Sequence, residues 1–247
     1  MASKATVQRQ RSAEKVIAAG RTHKERIGAA IGDRYGAKAG EAGETLVTVV
    51  TDDLDAKTDA MVRADDAHEV ELRDDPSARE ARDAAADALN GRLVVTRQQL
   101  TAVAGEGYVA KIGFSGSTPR DPVAVLRLGR TVVIGLATES PPPALIPNYE
   151  VDPDTWRQPL ESLVNELDGH TQAVATEERE TEATLVAKRA AIDAYDQAFS
   201  ATATLISNLL AMAGEYELAK RVRPSSRRPG QTVEDAPAEG SIAFSAA

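Results

Sequence analysis

Groups able to do chemistry are sparse in this sequence, and their spacing decides what each can do. The densest run is Gly105-Glu106-Gly107-Tyr108-Val109-Ala110, closed by Lys111. Glycines ahead of a lysine let backbone amides approach a phosphate when the loop opens a helix. Here the third position is Ala110, no strand-like run precedes the glycines, and they fall toward the end of a helical pattern. The segment therefore reads as a helix terminus. His23, His68 and His170 are far apart, with no i, i+4 histidine pair and no Glu-x-x-His of the kind that aims metal ligands into a bundle. His68 falls on an inward stripe and reads as a satisfied core polar group. No serine stands in a Gly-x-Ser-x-Gly elbow. Catalytic, cofactor and metal residues are accordingly assigned to none, and no cofactor is expected.

Charged clusters are the next candidates. Asp52, Asp53, Asp55, Asp59, Asp65 and Asp66 crowd one stretch. A calcium loop needs acids at alternating positions, a central glycine and a closing glutamate, and this run has neither the spacing nor the glycine. It reads as a solvated helix face, or one turned toward a basic helix. Arg9, Arg11, Lys15, Arg21, Lys24 and Arg26 near the start, and Lys220, Arg221, Arg223, Arg227 and Arg228 near the end, supply that basic character. Aromatic groups to stack on bases are missing from both sets, so pairing with acids is expected and nucleic acid is not.

Composition narrows the class further. Without cysteine there is no disulfide scaffold, thiolate zinc site, iron–sulfur cluster or thiol nucleophile. The net charge of −9 opposes a chain-wide nucleic-acid footprint. The charge is uneven: residues 1–38 hold nine cations against three anions, while residues 52–87 hold thirteen anions against five cations. Forty-four alanines and only nine aromatic residues suit helices packed closely rather than sheets.

Periodicity then places the elements. A first helix is predicted from about Ser3 to Tyr35, with Val16, Ile17, Ile27 and Ile31 near its stripe, ended by Gly36 and Gly40. A second runs from Glu44 to Arg73, with Leu54, Met61 and His68 at three- and four-residue steps. Asp74-Asp75-Pro76 reads as a tight turn into an antiparallel third helix, 76–111, whose far end is frayed or kinked at Gly105 and Gly107. Residues 122–138 fit a helix behind an Asp121-Pro122 start or a hairpin turning at Gly129-Arg130; the helix is preferred. A proline-rich linker follows over 139–154.

From Thr155 to about Arg221 a four-three spacing recurs, through Leu160, Leu167, Val174, Leu185, Ile192, Phe199, Ile206 and Leu209. TEERETE, 176–182, is where it would bend or break. Residues 223–247 read as a flexible tail.

The expected fold is all-α: an elongated antiparallel bundle of four to five helices with a very long, coiled-coil-like C-terminal helix. Residues 1–138, 155–222 and 223–247 are its N-terminal hairpins, its spine and its tail. An apolar seam longer than the chain can cover predicts a second subunit. The leading functional expectation is a non-enzymatic structural or scaffolding protein, self-associating or binding a protein partner through Leu185, Ile192, Phe199, Ile206 and Leu209. The alternative is a membrane-active protein concealing the apolar segment 123–137, and the third is a ligand- or nucleotide-binding bundle using Gly105–Lys111 or His68. The N-terminus lacks a secretory signal's apolar run, so a cytoplasmic location is expected.

Overall fold

The computed structural model describes residues 3–147 and 150–233, and the regular structure in them is helical. The order is α1 (Lys4–Tyr35), α2 (Ala37–Ala104), α3 (Glu106–Lys111), α4 (Pro122–Thr138), α5 (Asp154–Met212) and α6 (Tyr216–Arg221). The all-α class is confirmed; the two six-residue helices, α3 and α6, are the far ends of the expected third and last helices, set off at Gly105 and Gly214. Among the described residues, no helix is long and apolar enough to cross a membrane. The chain forms two compact units, Met1–Val70 with Glu182–Ala247, and Glu71–Thr181. Helices α2 and α5 supply residues to both.

In the first unit, α1 and the early part of α2 pack antiparallel, and the later part of α5 lies parallel to α1. Their core joins Val16, Ile17 and Ile27 of α1, Val47, Leu54 and Met61 of α2, and Tyr195, Phe199, Ile206 and Leu210 of α5. Glycine sets the spacing of α1 and α2. A Cβ added at Gly40 would stand 2.6 Å from the Gly28 carbonyl oxygen and 3.3 Å from Gly32 Cα. Gly40 is therefore a packing residue inside α2, not the breaker its type suggested. The reversal belongs to Gly36 alone, whose φ of 97° is open to glycine at little cost.

The expected turn at Asp74-Asp75-Pro76 is absent, because α2 continues through Pro76 for 68 residues. A proline inside a helix removes one hydrogen bond and clashes with the preceding turn, at a cost of about 3 kcal/mol. Packing on either side offsets it: Leu54 and Met61 are fixed in the first core, and Ala85, Ala86 and Leu89 in the second. The intervening alanines, glutamates and arginines are strong helix formers.

In the second unit, residues 122–138 are a helix, not a hairpin. Asp121 caps it by accepting the Ala124 amide at 2.9 Å, and Pro122 opens the first turn. Val125, Leu126, Val132 and Leu136 enter a core with Leu89, Leu93 and Leu100 of α2 and Trp156, Leu160 and Leu167 of α5. Gly129 and Gly135 admit the close approach, since a Cβ at Gly135 would meet the Ile112 backbone, with Ile112 Cα 2.6 Å away. Trp156 is buried with its indole N–H donating to Gln99 Oε1 at 2.9 Å.

α5 passes unbroken through 176–182, ending at Met212 rather than Arg221. Gly214, at φ 83°, turns the chain into α6. Residues 223–233 correct a second expectation, for they pack instead of trailing. The Tyr195 hydroxyl donates to the Gly230 carbonyl at 2.9 Å, the Ser225 amide to the Gln231 carbonyl at 2.8 Å, and Thr232 is fully buried. Backbone hydrogen bonding, which composition does not register, holds this segment. The remaining tail, 234–247, lies outside the described residues.

Substitutions separate these readings. Pro76→Ala should raise stability in urea unfolding by up to about 3 kcal/mol, because it restores a bond within a continuous helix; no gain would mean that α2 stops there. Gly135→Ala should cost about 1–3 kcal/mol through overpacking. Gly91→Ala, where a Cβ meets nothing within 4 Å, should instead add about 0.5–1 kcal/mol.

Candidate functional site

Two buried polar side chains of α2 in the first unit, Asp65 and His68, meet polar partners on α5. Asp65 on α2 has no exposed surface, and Lys188 Nζ of α5 lies 2.7 Å from its Oδ1. The Ser3 amide donates to its other oxygen at 2.5 Å. Ser3 also caps α1, its hydroxyl accepting the Thr6 amide at 3.3 Å. Three residues further along α2, His68 Nδ1 sits 3.1 Å from the Thr184 hydroxyl of α5. Burial alone raises the Asp65 carboxyl, but hydrogen bonds from Lys188, the Ser3 amide and Thr6, with the ammonium charge, outweigh it and hold the group below the usual carboxylate range. His68 is thus a satisfied core group.

The five seam residues divide between core and margin. Phe199 and Ile206 are fully buried and Leu209 nearly so, packed among α1 and α2 of the same chain. Ile192 is half-buried against that core, and Leu185 is half-buried. Their burial needs no second subunit, because α1 and α2 meet the part of α5 that carries them. Periodicity had identified the apolar face correctly but not what covers it.

Beside this face, α5 carries a second surface. Gln197, Ser200, Ala201, Thr204 and Asn208 line a shallow, largely open groove that follows the outer face of the helix for three turns. Ser200, Ala201, Thr204 and Asn208 are exposed. Asp196, at its edge, is held by Arg9 in a two-point pair, Nε–Oδ1 2.9 Å and Nη2–Oδ2 3.0 Å. That carboxylate raises the guanidinium pKa above its ordinary value, chiefly by hydrogen bonding.

The basic residues sort by partner. Arg21 reaches Asp52 at 2.9 Å and Asp55 at 3.0 Å, so part of the acidic run faces the basic first helix as expected. Arg26 pairs with Glu215, and Lys220 with Glu217 at 2.8 Å. Lys15 and His23 of α1 converge with Arg221 of α6 on a cavity of about 330 Å³. These positions are some two hundred residues apart, and no pattern in the chain signalled their meeting.

The glycine run is not a phosphate loop. Gly105, at φ 86°, ends α2, and its amide is already bound to the Leu100 and Thr101 carbonyls. Tyr108 and Val109 of α3 are core residues of the second unit. The apolar segment 123–137 likewise lies within α4, with Val123 and Ile134 exposed and much of the remainder buried. Glu71, Glu177 and Glu180 bring one carboxylate oxygen each within 4.8 Å of one another. The chain matches no family model, no curated protein and no solved structure.

The buried pair makes a signed prediction. Asp65 titrates lower in the folded than in the unfolded chain. Its contribution is therefore complete above the ordinary carboxylate range and is lost as pH falls through that range to the depressed folded value. Asp65→Asn should cost about 3–5 kcal/mol at neutral pH and flatten the acid limb of stability against pH. Asp65→Leu with Lys188→Met should cost less than either single change. An unchanged acid limb in Asp65→Asn would contradict the assignment.

Proposed function

We propose that this protein is structural or scaffolding rather than catalytic, and that it works by helix-mediated association with a second copy of itself through α5. The carrying observation is the groove along α5 over Gln197, Ser200, Ala201, Thr204 and Asn208. Small side chains at successive turns let a partner helix come near, since packing distances of about 8–10 Å depend on side-chain size at the contact. Within the first unit α5 runs without a break from Glu182 to Met212, roughly 45 Å of axis at 1.5 Å per residue. It therefore offers a companion a helix face several turns long.

The interior supports the same reading. The Tyr195 hydroxyl, with its single proton, lies within hydrogen-bonding distance of both the Arg9 and Gly230 carbonyls, and Asp65 and His68 are held by Lys188 and Thr184. These groups brace helices. The expected interaction residues then act from inside: Phe199 and Ile206 fix how α5 is rotated, and so which residues face outward.

Light scattering with size-exclusion chromatography, over a wide range of concentrations, tests the proposal. The wild-type mass should rise toward a dimer. Thr204→Arg should weaken association by about tenfold or more, leaving the unfolding midpoint in place. Phe199→Ala should instead lose about 3–5 kcal/mol of stability. A monomer at every concentration, or a dimer indifferent to Thr204→Arg, would overturn self-association through this face.

A further inference from the structure

The outer face of α5 carries charge of opposite sign at its two ends. At the early end Asp193 and Asp196 stand one turn apart on the border of the groove. Arg9 is taken up by Asp196 in the two-point pair, and Asp193 adds only its field to that guanidinium. Two carboxylates against one guanidinium leave this end negative, with Asp193 exposed to solvent.

At the late end the groove runs on into a hollow between α5 and α6. Asn208 lines both, joined in the hollow by Ala211 of α5, Tyr216 and Lys220 of α6, and Arg223 just beyond it. Ser207 fixes the two helices there, its buried hydroxyl donating to the Ala219 carbonyl at 2.8 Å. The acids of this end are already engaged, for Glu217 holds Lys220 at 2.8 Å and Glu215 pairs with Arg26. Arg223 is exposed, and its guanidinium has no acid partner among the described residues. Lys220, Arg221 and Arg223 together outnumber Glu217, so this end is positive.

Between the ends the face is uncharged, formed by Gln197, Ser200, Ala201 and Thr204. An isologous contact sets residue i of one copy against residue j of the other, and j against i. Asp193 and Asn208 are fifteen residues apart, roughly 22 Å of axis. Their midpoint is Ser200 and Ala201, whose small side chains let two helices come close. Laid antiparallel about that midpoint, Gln197 of one copy faces Thr204 of the other, and Asp193 of each copy reaches the hollow that holds Arg223 of the other. Laid parallel, Asp193 would face Asp193 and Arg223 would face Arg223, and juxtaposed like charges oppose association. We propose that the α5 face receives a second copy of this chain in an antiparallel two-fold arrangement, with Asp193 of each copy paired to Arg223 of the other. This pairing rests on self-association through α5 and adds its direction and register.

Sedimentation of the full chain at low ionic strength, together with cysteine cross-linking, tests it. Asp193→Arg and Arg223→Asp should each weaken the dimer by about tenfold, because the two-fold repeats each change at two contacts. Combining Asp193→Arg with Arg223→Asp should return the dimer to within about threefold of wild type. An equal mixture of Gln197→Cys and Thr204→Cys chains should form the mixed disulfide, while neither variant cross-links efficiently to itself. A wild-type chain that is monomeric throughout would overturn association through α5, and this pairing with it. A dimer that Thr204→Arg disrupts but both charge reversals leave unmoved would overturn the antiparallel pairing alone. Failure of the combined variant to recover, or efficient cross-linking of Thr204→Cys chains to themselves, would do the same.

Discussion

A carboxylate with no exposed surface, faced by an ammonium from another helix, constrains the first unit more than any apolar contact does. Asp65 cannot lose Lys188 without leaving a buried charge uncompensated, a far larger penalty than trading one methyl contact for another. Apolar faces tolerate sliding, because neighbouring turns of Ala, Val and Leu look alike; a buried pair tolerates one register. Here the register joins three helices, for the same carboxylate takes the Ser3 amide at the start of α1. His68 with Thr184 repeats the α2–α5 connection nearly one turn along.

Once α5 is fixed in register and rotation, its faces acquire different duties. Phe199, Ile206 and Leu210 turn toward α1 and α2, where Gly20 lets the helices close: a Cβ there would meet Thr51 Cγ2 at 2.8 Å and Ile206 Cδ1 at 3.2 Å. Thr204 and Asn208 are left outside, along the groove. The same fixing places α6, because its anchor to α5 is Ser207, one residue from Ile206. The α5 groove and the hollow beside α6 thus both follow from how the polar layer and the glycine-spaced core hold α5.

Much of the fold was legible because helix signals are local. The α1 cap at Ser3, the α4 start at Asp121-Pro122 and the apolar stripe of α5 are each written within a few residues. What failed was whatever depends on distant partners. Gly40 as a breaker and Gly40 as a contact against Gly28 look identical until α1 is beside it. Pro76 suggested a turn because its local cost is plain, while the packing that offsets it lies at Met61 and Leu89. The 223–233 segment lacked an apolar pattern, yet its hydrogen bonds to Tyr195 and Ser12 hold it. The candidate site was the least legible part, since Asp193 and Arg223 share no motif. For the seam, period shows which face is oily but not whose side chains cover it.

The chain contains no cysteine, so single engineered thiols report burial without interference. Thiol labelling of Thr204→Cys and Ile206→Cys in dilute native protein tests directly whether α5 hides its apolar face within its own chain. The thiol at 204 should react at the rate of an exposed group. The thiol at 206 should react roughly a thousandfold or more slowly, limited by unfolding. Equal reactivity at the two positions at low concentration would show the seam uncovered in the single chain, and would contradict the account.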